Sequence, residues 1–126
     1  MSRGFSDSIG IMKKMLPPMN ISYFSRRARG DTNAFRDLAI DFFNDTRHLM
    51  GGWTALIETG NFARVREELH RCKGGASLFG FERLVELIGA SESPRVLETR
   101  GFNLKAFEKE LRMAERAVVE MMQPVA

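Results

Sequence analysis

An all-α protein is what this sequence predicts: an antiparallel four-helix bundle with an additional N-terminal helix covering one end. Three observations carry that expectation. Apolar residues recur at spacings of three and four, glycines and prolines punctuate the chain at helix-length intervals, and no alternating apolar and polar run is long enough for a strand. With 126 residues and 44% hydrophobic content, the chain suits one domain with a sizeable core.

Residues 1–17 read as an N-terminal extension, with a short amphipathic turn or helix after Ser6 or Asp7 that presents Ile9, Met12, and Met15 or Leu16; Pro17 and Pro18 stop it. Residues 18–126 read as the bundle domain. Asn20 is placed to cap a brief helix through Ile21, Tyr23, Phe24 and Arg27, which Gly30 closes. Asp31 or Thr32 starts a long helix to Thr59 whose apolar stripe is Phe35, Leu38, Phe42, Leu49, Trp53 and Leu56. Within it, Gly51 and Gly52 suggest a kink or a tight helix crossing. Gly60 and Asn61 form a short connection, so the next helix, over residues 62–79, runs back antiparallel. Gly80 breaks that helix, and Phe81, Leu84, Val85, Leu87 and Ile88 give a fourth its apolar face. Residues 91–103, with Pro94 and Gly101, are the longest expected loop, after which Leu104, Phe107, Leu111, Ala114, Val118 and Met121 form the last stripe before Pro124.

Composition excludes several classes. No stretch approaches the eighteen apolar residues of a membrane span. The N-terminus places its lysines after the apolar residues and lacks a small-residue cleavage pattern, so it does not resemble a secretory signal, and a cytoplasmic protein is expected. The single cysteine, Cys72, falls on a core stripe and agrees with a reducing compartment, as packing rather than as a nucleophile. Two histidines and one buried cysteine make no convincing metal site. The net charge of +3 would suit nucleic acid, but no helix carries a Lys/Arg stripe interleaved with aromatics. The dense cluster Arg26, Arg27 and Arg29 precedes Gly30 and reads as a solvated helix end, where cations are favoured. The eight methionines read as adaptable packing. A monomer without nucleic-acid or membrane partners is the expectation.

The chemistry concentrates in residues 70–80, HRCKGGASLFG. On a helix of 3.6 residues per turn, Phe62, Val65, Leu69, Cys72, Ala76 and Phe79 share roughly a 100° arc, and His70 lies about 130° from its centre. Lys73, Gly74 and Ser77 follow on the histidine's own face, with Arg66 and Glu67 a turn before it. A glycine inside a helix costs about 1 kcal/mol relative to alanine, and here Gly74 and Gly75 are consecutive. Access explains the expense: side chains are removed one turn past the ring so that another protein approaches it closely. Lys73, a compact cation, is positioned to neutralise an oxyanion on that ring, a phosphoryl group above all. His48 has the same side chain on a polar face without such surroundings, and no function is assigned to it.

His70, Lys73, Gly74, the small residues Gly75, Ala76 and Ser77, apolar Phe79 and Gly80 resemble the signature of the HPt (histidine-containing phosphotransfer) domain family, H-x-aliphatic-K-G-small-small-x-x-apolar-G. Cys72 departs from its aliphatic position but is a small hydrophobe that suits a core. The helical pattern resembles the family from about Pro18 to the end. The resemblance implies a phosphorelay intermediate rather than an enzyme: His70 would accept a phosphoryl group from a receiver-domain aspartyl phosphate and pass it to another response-regulator receiver. The ring nitrogen attacked would be Nε2. Lys73 would stabilise phosphoryl charge, while Arg66, Arg71, Gly74, Ser77 and Arg83 would belong to the binding surface, Ser77 mainly by staying small. Partners would be response-regulator receiver domains and a hybrid sensor histidine kinase; the receiver supplies Mg²⁺, and no cofactor is expected on this chain. Around His70, Arg64, Arg66, Arg71, Lys73 and Arg83 outnumber Glu67, Glu68 and Glu82, a positive rim suited to an acidic partner. A histidine kinase dimerisation domain fits less well, because Arg71 rather than an acid follows His70 and no proline occurs before Pro94. The alternative is an HPt-like module that docks receivers without carrying phosphate. Met1 and complete helical patterns suggest a free-standing protein.

Overall fold

A computed structural model of the chain describes residues 16–93, 95–100 and 102–122. The amphipathic turn expected before Leu16 falls outside them. Five α-helices follow in order, α1 (Ile21–Ala28), α2 (Thr32–Glu58), α3 (Phe62–Phe79), α4 (Glu82–Ser91) and α5 (Leu104–Met122), with a π-helical turn (Val96–Arg100) before the last. No strand occurs among the described residues. The main contacts run from α2 to α3, α3 to α4, α4 to α5 and α5 back to α2, so α3 and α5 stand on a diagonal of the bundle; α1 covers the end where α2 begins and α3 finishes.

The helix starts follow local chemistry. Asn20 Oδ1 accepts from the Tyr23 amide at 3.0 Å, and Asp31 Oδ1 accepts from the Ala34 amide at 3.1 Å, each satisfying a first-turn donor. Asn61 occupies the same position before α3 but makes no side-chain cap bond. At the other end of α3, Gly80 takes φ +77°, and a Cβ there would meet the Tyr23 ring at 2.9 Å. Its carbonyl accepts from the Asn20 amide at 2.8 Å, stitching α1 to the α3–α4 turn.

The core is rich in aromatics. Phe35, Phe42 and Phe81 surround Phe79 at centroid distances of 5.0, 5.8 and 5.5 Å, while Trp53 meets Phe102 and Phe107 edge-on at 5.4 and 5.1 Å. The stripes of α3, α4 and α5 face the core as their periodicity predicts, with Phe62, Val85, Leu104 and Met121 half-buried at its margins. That of α2 is rotated. Leu38, expected inside, is 56% exposed; Trp53 is buried as expected, but Ala39, Phe43, Thr46 and Met50 take the places of the other stripe residues. The shift is roughly 70° about the axis: the small Ala39 and Thr46 let neighbours approach, while the bulky Phe42 and Leu49 lie at the edge of the contact.

Glu68 is buried on α3, where its Oε1 accepts from Trp53 Nε1 at 3.0 Å and its Oε2 pairs with Arg64 Nε at 2.7 Å. Both oxygens are thereby compensated, as burial of a carboxylate requires. The expected loop over residues 91–103 contains the π-helical turn, whose Leu97 is buried; the apolar pair Val96 and Leu97, adjacent to each other, leaves no helical periodicity to read.

The glycine pairs also differ from expectation. Gly51 and Gly52 face open space within an unbroken α2 and mark no helix crossing. Gly74 is open too, but a Cβ on Gly75 would fall 2.6 Å from two atoms of the Phe42 ring. Only Gly74 thus clears the outer face; Gly75 serves the α2–α3 contact. Replacing Gly74 with alanine should stabilise the fold by about 0.5–1 kcal/mol through helix propensity, whereas Gly75→Ala should destabilise it by about 1–2 kcal/mol because the overpacked Phe42 ring is held in the cluster. Urea denaturation of the two variants checks the opposite signs.

Cys72 lies buried on α3 as expected, and burial pushes its thiol up from the ordinary value, outweighing a hydrogen bond with Thr46 that lowers it. A thiol reagent at pH 8 should label native protein far more slowly than urea-unfolded protein. Equal rates would show that the site opens to solvent.

Candidate functional site

The α3–α4 hairpin brings the site together. His70 lies ten residues before Gly80 and Glu92 twelve after it, so an antiparallel pair of helices turning at residues 80–81 places them side by side. The His70 side chain is 80% exposed, and its Nδ1 lies 3.4 Å from Glu92 Oε1. The other oxygen, Glu92 Oε2, lies 3.6 Å from Lys73 Nζ. One carboxylate therefore spans the imidazole and the ammonium. Lys73 lies over Gly89 of α4, where a Cβ would stand 3.7 Å from Nζ.

Glu92 is the residue that sequence reasoning missed. It is the C-cap of α4, where the helix dipole disfavours a carboxylate, and the Lys73 cation offsets that cost. The signal available was the hairpin register: folding the chain back at the Gly80 break brings the end of α4, where Glu92 is the first acid after Glu86, to the level of His70.

The other residues expected at the site divide into groups. Arg66 joins His70, Glu92, Ala63 and Glu67 around a shallow depression of about 330 Å³. Gly74 leaves its side of the ring clear. Arg71 is exposed, about 100° around α3 from His70 and away from that depression. Ser77 is exposed two turns along α3 and lines a different groove. Arg83 is not brought to the ring: it donates to Glu110 Oε1 on α5 at 2.8 Å, with its side chain 20% exposed. His48 is exposed on α2, beside Leu49, Gly52 and Arg64 rather than near His70.

Chemically, a carboxylate accepts hydrogen bonds, so its place at Nδ1 favours the tautomer with the proton there. Nε2 then carries the lone pair of an exposed ring. The ring stands 80% exposed at the edge of the shallow depression, open to solvent on its outer side. The fold and this surface define a helical bundle that presents an exposed imidazole on a helix face. A family model for the Hpt domain matches residues 37–123, from the first turns of α2 past the end of α5, and the chain belongs to that family. No curated protein and no solved structure matches the chain. Membership gives the chain a phosphotransfer role in two-component signalling, as a carrier rather than a classical enzyme, with receiver domains as the class of partner. Among the described residues no helix is long and apolar enough to cross a membrane.

The tautomer is measurable. Long-range ¹⁵N–¹H spectra of the neutral His70 ring should show the proton on Nδ1 in wild type and a shift toward Nε2–H in Glu92→Ala. Because the contact is long and the ring exposed, the same substitution should change stability by less than about 0.5 kcal/mol. An unchanged tautomer would remove Glu92 from the ring's chemistry.

Proposed function

We propose that His70 is the phosphorylated residue and that this chain relays phosphoryl groups between receiver domains, the donor being of the kind carried by a hybrid sensor histidine kinase. The observation that carries the proposal is the exposed imidazole held by Glu92 at Nδ1, with Lys73 on the same carboxylate. The Nε2 lone pair attacks phosphorus as the bond to the receiver's aspartyl oxygen breaks, and that electron pair leaves with the aspartate. A phosphoramidate forms on the ring. Attack by a second receiver's aspartate reverses the process, breaking the N–P bond and returning the pair to Nε2. A loose transition state carries its charge on the equatorial oxygens, so positioning and charge neutralisation do most of the catalytic work. Divalent-metal chemistry belongs to the receiver.

Lys73 has two positions in this scheme. Before transfer its ammonium lies beside Glu92; a phosphoryl group on Nε2 brings a stronger anion within reach of the same flexible side chain. Glu92 stays on Nδ1 and orients the ring, while the Arg66 guanidinium at the edge of the depression adds positive charge toward an acidic partner. Arg71 and Gly74 remain part of the proposed contact surface, the first as an exposed cation and the second as cleared space.

Incubation with a receiver domain phosphorylated at its aspartate tests the assignment. Acid-labile label should appear on wild type and on His48→Gln, disappear with His70→Gln, and accumulate slower by about a hundredfold or more on Lys73→Ala, the loss that removal of one charge-stabilising donor brings. Equal labelling of the two histidine variants would refute the role of His70. Binding of receivers without labelling would establish the docking-only module.

A further inference from the structure

Beyond the reacting group, the same face of the hairpin carries a groove of about 470 Å³ at the junction of α1, α3 and α4. Leu16, Tyr23 and Val85 give it apolar lining, Ser77 opens onto it from α3, and Glu82 and Glu86 bring acidic groups. We propose that this groove is the specificity pocket of the transfer interface, taking an apolar side chain of the incoming receiver domain with a basic residue beside it. The inference rests on the phosphorelay reading and adds to it the surface that selects the partner.

Position is the first argument. His70, Lys73 and Ser77 follow at spacings of three and four and lie within about 60° of one another on α3. The groove therefore begins about 10 Å along the helix from the ring, on the side turned toward the partner. A specific interface covers about 800 Å² on each protein, a disc of radius about 16 Å. Any domain that brings an aspartyl phosphate to Nε2 lies over Ser77 and reaches the groove.

Chemistry is the second. Interfaces are held by a few side chains anchored in pockets, and this pocket offers aliphatic and aromatic walls to such an anchor. Its two acids are not equivalent. Glu82 is already held, its Oε1 accepting from Asn20 Nδ2 at 2.8 Å, whereas Glu86 is exposed and makes no ion pair among the described residues. A lysine or arginine next to the partner's anchor would meet Glu86, while the cations around His70 face the receiver's acidic reaction centre. Basic beside the groove and acidic beside the histidine is an order that fixes the partner's orientation as well as its identity.

The diagonal arrangement supplies a control face. Lys105, Lys109, Arg112 and Arg116 form an exposed stripe on the outer side of α5, away from α3 and the groove.

Transfer from a phosphorylated receiver to His70 should be compared among wild type, Val85→Lys, Glu86→Lys and, as the control, Arg112→Glu. Phosphoramidate, a small donor that needs no docking, should be run in parallel. Val85→Lys should lower kcat/KM for transfer from the receiver about tenfold or more, and Glu86→Lys about three- to tenfold, the loss of one anchoring contact and of one rim charge. Labelling by phosphoramidate should change less than twofold in every variant, and Arg112→Glu should transfer as wild type does. Glu86 is exposed, so its variant retains the fold even if Val85→Lys does not. Wild-type transfer by Glu86→Lys together with wild-type transfer by a folded Val85→Lys would overturn the groove and leave the relay intact. Faster transfer by both would overturn it in favour of a groove covered by the chain's own residues 1–15. A wild-type chain labelled by phosphoramidate but by no receiver would overturn the relay reading, and the groove with it.

Discussion

The contact between the Phe42 ring and the bare backbone of Gly75 fixes how α3 sits in the bundle. With no Cβ in the way, the ring lies directly against α3, and its neighbours Phe43, Phe79 and Phe81 hold it from the other sides. Gly75 is about 140° around the helix from His70. Fixing one side of α3 against α2 therefore fixes the azimuth of the imidazole. The adjacent glycines divide the work: one lets the helix approach its neighbour, and the other, about 40° from His70, keeps the histidine's side open.

Much of this was legible because helices write their burial into a period of 3.6 residues. The caps at Asn20 and Asp31, the break at Gly80 and the outward direction of His70 all follow from residue type and spacing, without any long-range information. What the sequence hides is what depends on a neighbour. The α2 stripe was read from its largest apolar residues, whereas close packing at Ala39 and Thr46 set the true phase. The burial of Glu68 depends on the indole of Trp53 across a helix interface, and Leu97 is buried although its own segment shows no helical stripe. Glu92 is an intermediate case, since it becomes visible only once two helices are folded against each other.

Charge is distributed along the same lines. The positive rim counted from sequence is thinned by pairing: Arg64 is committed to Glu68 and Arg83 to Glu110. On the diagonal side, Arg47 grips Glu115 through a two-pronged fork at 2.6 and 3.0 Å, tying α2 to α5. Structural ion pairs thus bind α5 to its neighbours, while Arg66, Arg71 and Lys73 remain on the outer face of α3, with Lys73 sharing its counter-charge with the imidazole. The surface nearest His70 keeps charge available that elsewhere is consumed by the fold.

The hairpin register has a consequence for how such a chain can vary. Each residue added to the turn at residues 80–81 would swing the far end of α4 by about 100° and advance it by about 1.5 Å, carrying Glu92 away from the ring although the insertion lies some 15 Å distant. Residues 93–103 lie beyond Glu92, so their length leaves the register of its contact with His70 unchanged. Length at the first connection is thus under the control of the chemistry, and length at the second under that of packing alone. Among chains built on this plan, insertions should collect after Glu92 and be rare before it.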